Sequence, residues 1–168
     1  TMSVNTTELT FNNVTLTIDV GSVIVPTVRK YANVEQVMTN EQALEYFKKV
    51  LAIREKVFGT EHPNVATSYN NIGSIYNSQG DYEKALEYYN RALAICEKVF
   101  GTEHPDVATS YSNLGLIYYS QGIYDKALEY HNRALEILEK VFGTEHPNVA
   151  LSYNNIGGIH GSQGIYDK

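Results

Sequence analysis

Histidine is the residue type best placed for chemistry in this chain, and His62, His104 and His146 recur at a fixed 42-residue interval, each followed by proline. Imidazoles ligate metals or relay protons only where several converge on one point. A constant interval instead places one histidine in each structural unit, so a role at a turn or helix start is expected, with no metal. His131 and His160 stand where sister units carry Tyr89 and Tyr118, and read as packing substitutes. Cys96 is the single cysteine, which permits no internal disulfide and favours a reducing, cytoplasmic compartment. No nucleophile beside a base, no paired acid and no phosphate-cradling loop stands out, so neither catalysis nor a cofactor is expected.

Asparagine carries a different chemistry. Asn71, Asn113 and Asn155 recur at the same interval, and a carboxamide offers both a donor and an acceptor to an extended peptide backbone. The competing role is a tie between neighbouring helices. Around these three, the copies differ: Thr67, Asn70, Ser74 and Asn77 become Thr109, Ser112, Leu116 and Tyr119, then Leu151, Asn154, Gly158 and Gly161. Steps of three and four put these positions on one helical face. A face released from the packing constraint points to solvent, and the large groups Leu116 and Tyr119 on it have the character of binding anchors rather than drift.

The elements that hold this face follow from the repeat itself, which runs from Ala43 to Lys84, Ala85 to Lys126 and Ala127 to Lys168, most positions being identical in all copies. Such a period marks a stacked array in which each unit completes its neighbour's core. Pro63, Pro105 and Pro147 open a first helix, A, near 63–78, 105–120 and 147–162, because proline at the first helical position loses only an unpaired donor. Helix A stops at Gly80, Gly122 or Gly164, and helix B follows near 41–57, 82–99 and 124–141, capped by Asp81 in one case. Apolar positions fit antiparallel pairs: Val107, Tyr111, Leu114 and Tyr118 on A, with Leu86, Tyr89, Leu93 and Ile95 on B. Gly73, Gly115 and Gly157 lie inside helix A, where each costs about 1 kcal/mol relative to alanine. Their recurrence calls for a close approach, expected against Ala85 and Ala127.

The spacing Tyr111, Leu114, Gly115, Tyr118, Gly122, Tyr124 and Ala127 resembles the tetratricopeptide repeat. The phrases IREKVFGTEHPNVATSYNNIG and KALEYYNRALAI are similar to the 42-residue variety of kinesin light chains, over Gln42 to Lys168. The resemblance implies an all-α, right-handed solenoid of antiparallel helix pairs whose A helices line a concave groove. It further implies a scaffold or adaptor that binds a protein or peptide there, with the asparagines contacting the bound chain. In that family nearby basic residues attract acidic, tryptophan-containing motifs. Here Arg54 keeps one basic position, which reads Cys96 and Leu138 in later copies, and the family's lysine falls at Thr67, Thr109 and Leu151. The heptad segment that joins those light chains to their motor has no counterpart in this sequence. An alternative class is the sensor or regulatory arm of a larger multidomain enzyme or signalling ATPase, which would use the same groove.

Residues 1–25 differ from the array. Val14, Leu16, Ile18 and Val20 alternate with Thr15, Thr17 and Asp19, a strand period. Asn12-Asn13 can turn a hairpin between Leu9–Phe11 and Val14–Ile18, although a lone hairpin is marginal in water, so the segment is expected to be strand-like or disordered. Its two acceptor patterns, Asn5-Thr6-Thr7 and Asn13-Val14-Thr15, are the yield of a Thr- and Asn-rich stretch rather than glycosylation sites. The array then occupies 26–168, led by a short capping helix over 26–39, with Thr39 and Gln42 forming a capping box for the first B helix. Net charge is −6, which disfavours nucleic acid, and no apolar run is long enough to span a membrane. Further repeats or domains are expected beyond the ends.

Overall fold

The computed structural model describes residues 6–11, 14–19 and 39–164. The chain forms two compact units, Thr1–Val37 and Met38–Lys168. In the first, strands β1 (Thr6–Phe11) and β2 (Val14–Asp19) pair antiparallel, with Phe11 opposite Val14 and Thr6 opposite Asp19. Only two residues separate the strands, the interval of a tight hairpin. The capping helix expected over 26–39 lies outside the described residues apart from Thr39.

The second unit is built from α1 (Asn40–Phe58), α2 (Pro63–Ser78), α3 (Tyr82–Phe100), α4 (Pro105–Ser120), α5 (Tyr124–Phe142) and α6 (Pro147–Ser162). Its A helices, α2, α4 and α6, start and stop where proline and glycine punctuate the sequence; the B helices run one residue further than expected. The Thr39 hydroxyl accepts from the Gln42 N–H at 3.3 Å while the Thr39 N–H donates to the Gln42 side chain at 3.0 Å, completing the capping box. Asp81 accepts from the Lys84 N–H at 3.2 Å, whereas Ile123 at the equivalent position of α5 offers no cap. At the end of α2, Gly80 adopts φ +76°, and the N–H groups of Gly80 and Asp81 bond back to Asn77 and Tyr76 at 2.9 Å. That reversal needs a residue without a Cβ, and it sends the chain into α3 through a single non-helical turn.

α2 and α4 each pack most closely on the B helix that follows, α2 on α3 and α4 on α5, while α6 packs on α5 before it. Val65, Tyr69, Ala92, Ile95, Val107 and Ile137 form one buried layer, and Ile72, Tyr76, Ala85, Tyr89, Leu114 and Ile117 another. Fully burying a Val, Leu or Ile side chain among these stabilises the fold by roughly 1.5–3 kcal/mol. The core therefore runs along the stack between helix pairs, as a repeat architecture requires.

The mid-helix glycines do face a close approach, but not to the alanines. A Cβ on Gly73 would stand 2.9 Å from the Tyr89 ring, and one on Gly115 would stand 2.7 Å from the His131 ring. Ala85 and Ala127 are fully buried one turn away. An aromatic ring, not a second small residue, fills the gap that the missing methyl leaves. No described residue comes within 4 Å of a Cβ on Gly157.

Candidate binding face

The repeated histidines cap helices. His62, His104 and His146 each occupy the N-cap position of an A helix, and Nδ1 accepts from the N–H two residues on at 3.1, 3.2 and 3.1 Å. Each ring also stacks on the last phenylalanine of the preceding B helix, with centroids 4.7, 4.3 and 4.3 Å apart. Among the described residues no group of three or more metal-type ligands comes together. His131 is 1% exposed, and its Nδ1 has no partner among the described residues. Burial holds its pKa below the usual 6.5, so the ring is neutral in the folded chain at neutral pH.

That burial has a pH consequence with a fixed sign. Between the lowered folded value and about 6.5, the unfolded chain binds the His131 proton and the folded chain does not, so stability rises with pH across that window. His131's contribution should be complete above the ordinary imidazole value and should decline as pH falls below it. His131→Phe should flatten this part of the profile, which melting curves between about pH 7 and pH 5 would check.

The face identified from sequence variation is carried by α2, α4 and α6. Asn71, Asn113 and Asn155 are half-buried on it, and their carboxamides form no hydrogen bond to other described residues. Ser74, Leu116 and Asn154 are exposed, while Asn70, Asn77 and Ser112 are half-buried. The side-chain carbonyls of Asn70 and Asn77 are out of contact with solvent and without a donor among the described residues. Leu116 is 42% exposed and Tyr119 38%. Thr67 and Thr109 are exposed, but their hydroxyls turn back onto Pro63 and Pro105 carbonyls at 3.2 and 3.1 Å. Tyr119 crosses between A helices, its hydroxyl 2.9 Å from Ser162 Oγ.

Arg54 lies on α1. Its guanidinium donates to the Asn64 carbonyl and the Ser68 hydroxyl, both at 2.9 Å, at the α1–α2 contact. Cys96 and Leu138, which take its place in later copies, are buried there at 5% and 7% exposure. The remaining candidate residues carry no charge, so the face offers amides, hydroxyls and apolar groups. Sequence reasoning did not identify the polar buttons beside it: Tyr69 and Tyr111 donate to Glu55 and Glu97 at 3.0 Å, and Tyr153 donates to Glu139. Their signal was present, since both partners are unchanged in all three copies. Burial first, then the carboxylate acceptor, raises the Tyr69 and Tyr111 pKa values and keeps these phenols protonated as donors.

A family model described as tetratricopeptide repeat matches residues 25–98, 68–140 and 106–168. Among solved structures, the chain is similar to BtubC (BKLC) from P. vanneervenii, with 31% identity and a TM-score of 0.67 over 74% of this chain and 50% of that one. It is also similar to a Podosopora anserina putative kinesin light chain with nearly identical TPR-like repeats, at 26% identity and a TM-score of 0.64, over 74% of this chain and 59% of that one. RapI, at 23% identity and a TM-score of 0.63 over 76% of this chain and 44% of that one, shares the fold. The chain thus spans between about two fifths and three fifths of the length of these relatives. No curated protein sequence matches it significantly.

Proposed function

The chain belongs to the tetratricopeptide repeat family, and from that premise we propose that it is a non-catalytic, adaptor-like scaffold that binds an extended peptide or protein segment along the α2, α4 and α6 face. One observation carries the reading: Asn71, Asn113 and Asn155 recur once per repeat on an uncharged face, with carboxamides that spend no hydrogen bond within the described fold. A row of free amides, one per repeat, offers both donors and acceptors to an extended backbone. Leu116 and Tyr119 would supply the apolar contact beside it. The resemblance to kinesin light chains, whose equivalent asparagines contact cargo peptides, supports the same assignment.

The chemistry of the partner differs from the acidic cargo of that family. Arg54 is committed to α2 and the position of the family's lysine is Thr67, Thr109 or Leu151, so the face is suited to a neutral segment that presents backbone amides and an apolar side chain. A net charge of −6 argues against nucleic acid. No helix among the described residues is long and apolar enough to cross a membrane. The single cysteine is buried, in keeping with work in the cytoplasm.

Selection from a random peptide library, followed by resonance mapping of the best binder, tests the proposal. Shifts centred on Asn71, Asn113, Leu116 and Tyr119 are expected. Enriched peptides whose shifts map to the loop edge at Phe58 and His62, or to the B helices, would place binding elsewhere and refute it.

A further inference from the structure

The edge of the array where B helices end and A helices begin carries a second surface, apart from the asparagine face. In the first repeat Phe58, Thr60, His62 and Pro63, joined by Val99 from the end of α3, line an open recess. The period-related residues are Phe100, Thr102, His104 and Pro105, with Val141 from the end of α5. Val99 and Val141 are 45% and 44% exposed, and Phe58 and Phe100 48% and 37%. The turn at 101–104 has a described repeat on either side of it, so its apolar groups stay open with both neighbours in place.

Three properties of this edge define what fits it. Its rim carboxylates are already spent, since Glu61 pairs with Lys98 and Glu103 with Lys140, each from the next layer of the stack. Neither is free to select a basic partner. The edge also offers donors: the N–H groups of Thr60, Glu61, Thr102 and Glu103, all exposed residues, bond to nothing among the described residues. Because Nδ1 of His62 and of His104 accepts a capping bond, the ring proton of each sits on Nε2, which has no acceptor among the described residues. Finally, the edge recurs by layer. Tyr119 reaches Ser162, so successive A helices are direct neighbours, and packed helices stand about 8–10 Å apart.

We propose that this edge binds a proline-rich segment in the polyproline II conformation, laid across both recesses with one proline ring against Phe58 and Val99 and another against Phe100 and Val141. A run of prolines presents carbonyls and no N–H, so it needs donors and supplies none, which is the complement of this edge. Three residues of polyproline II rise about 9 Å, one turn of that helix and about one layer of the stack. Prolines at every third position therefore meet equivalent recesses. An aromatic-lined surface suits such a segment, because a chain that is already extended loses little entropy on docking. The recesses are open, so this contact is weaker than peptide binding on the asparagine face, and it does not rest on that reading.

Titration of the isotope-labelled chain with capped nonaproline tests this through its amide and imidazole resonances. The N–H signals of Thr60, Glu61, Thr102 and Glu103 and the Nε2 signals of His62 and His104 should shift together. A capped glycine-serine peptide of the same length, which lacks the preformed helix, should bind at least about tenfold more weakly. The double variant Val99→Lys, Val141→Lys should also lose at least about tenfold in affinity. Its circular dichroism should be unchanged, since both side chains are exposed and a cation suits the last turn of a helix. Nonaproline that causes no shift at millimolar concentration overturns the proposal. So do shifts centred on Asn71 and Asn113, equal binding of the glycine-serine peptide, or full affinity in the double variant.

Discussion

Gly115→Leu is expected to lower the urea midpoint of the chain, with a loss of about 1–3 kcal/mol or more, while Gly157→Leu leaves it unchanged or raises it. The two sites are sequence equivalents inside helix A, so helix propensity favours leucine at both, by somewhat under about 1 kcal/mol. What separates them is the neighbour. At Gly115 even the first carbon of the new side chain meets His131 Cδ2 at 2.7 Å and Nε2 at 2.8 Å, and His131 is itself 1% exposed. A ring without room to retreat must push α5 from α4, and the close pairing of those helices is the unit from which the stack is made. At Gly157 no described atom lies within 4 Å of the first carbon of that side chain. Equal midpoints for the two variants would remove this account of the mid-helix glycines.

The second large effect concerns binding. Exchanging Asn71 and Asn113 together for alanine removes two carboxamides that bond to nothing else described in the fold, and alanine is the better helix former. Helical signal and melting temperature should therefore hold, or rise slightly. If each carboxamide gives one or two hydrogen bonds to a peptide backbone, the pair is worth about 1–3 kcal/mol of affinity, roughly a ten- to hundredfold weakening. Tyr119→Ala should weaken binding as well, but with a small cost in stability, because its hydroxyl bridges to Ser162 across the A helices.

The helices were legible in the sequence because proline and glycine mark both ends of every A helix, and those residues constrain the backbone directly. Pro63 and Gly80 do this regardless of what packs nearby. The partner of Gly115 was not legible for the complementary reason: which side chain fills a gap depends on how two helices cross. Small residues at Ala85 and Ala127 suggested contact between like surfaces, yet the rings one turn further along entered the space. Arg54 shows the same limit at the site. Its charge made it a candidate residue, but that its guanidinium bonds Asn64 and Ser68, at a phase where Cys96 and Leu138 are buried, depends on how α1 and α2 pack. The helix-capping role of His62, by contrast, followed from its place before proline and is met by the bond to the Asn64 N–H.

The asparagine row is where sequence left two roles open, a tie between A helices or a contact for a partner, and stability separates them. A tie that is broken exposes or strands its mate and lowers the melting point. A binding group that is removed leaves the free protein untouched. The most direct measurement is paired calorimetry on the Asn71→Ala, Asn113→Ala double variant, a thermal scan and a titration with a library-selected peptide. The account predicts a melting temperature at or above that of the parent together with a roughly ten- to hundredfold loss of affinity. A melting temperature well below the parent, or full affinity retained, would contradict it.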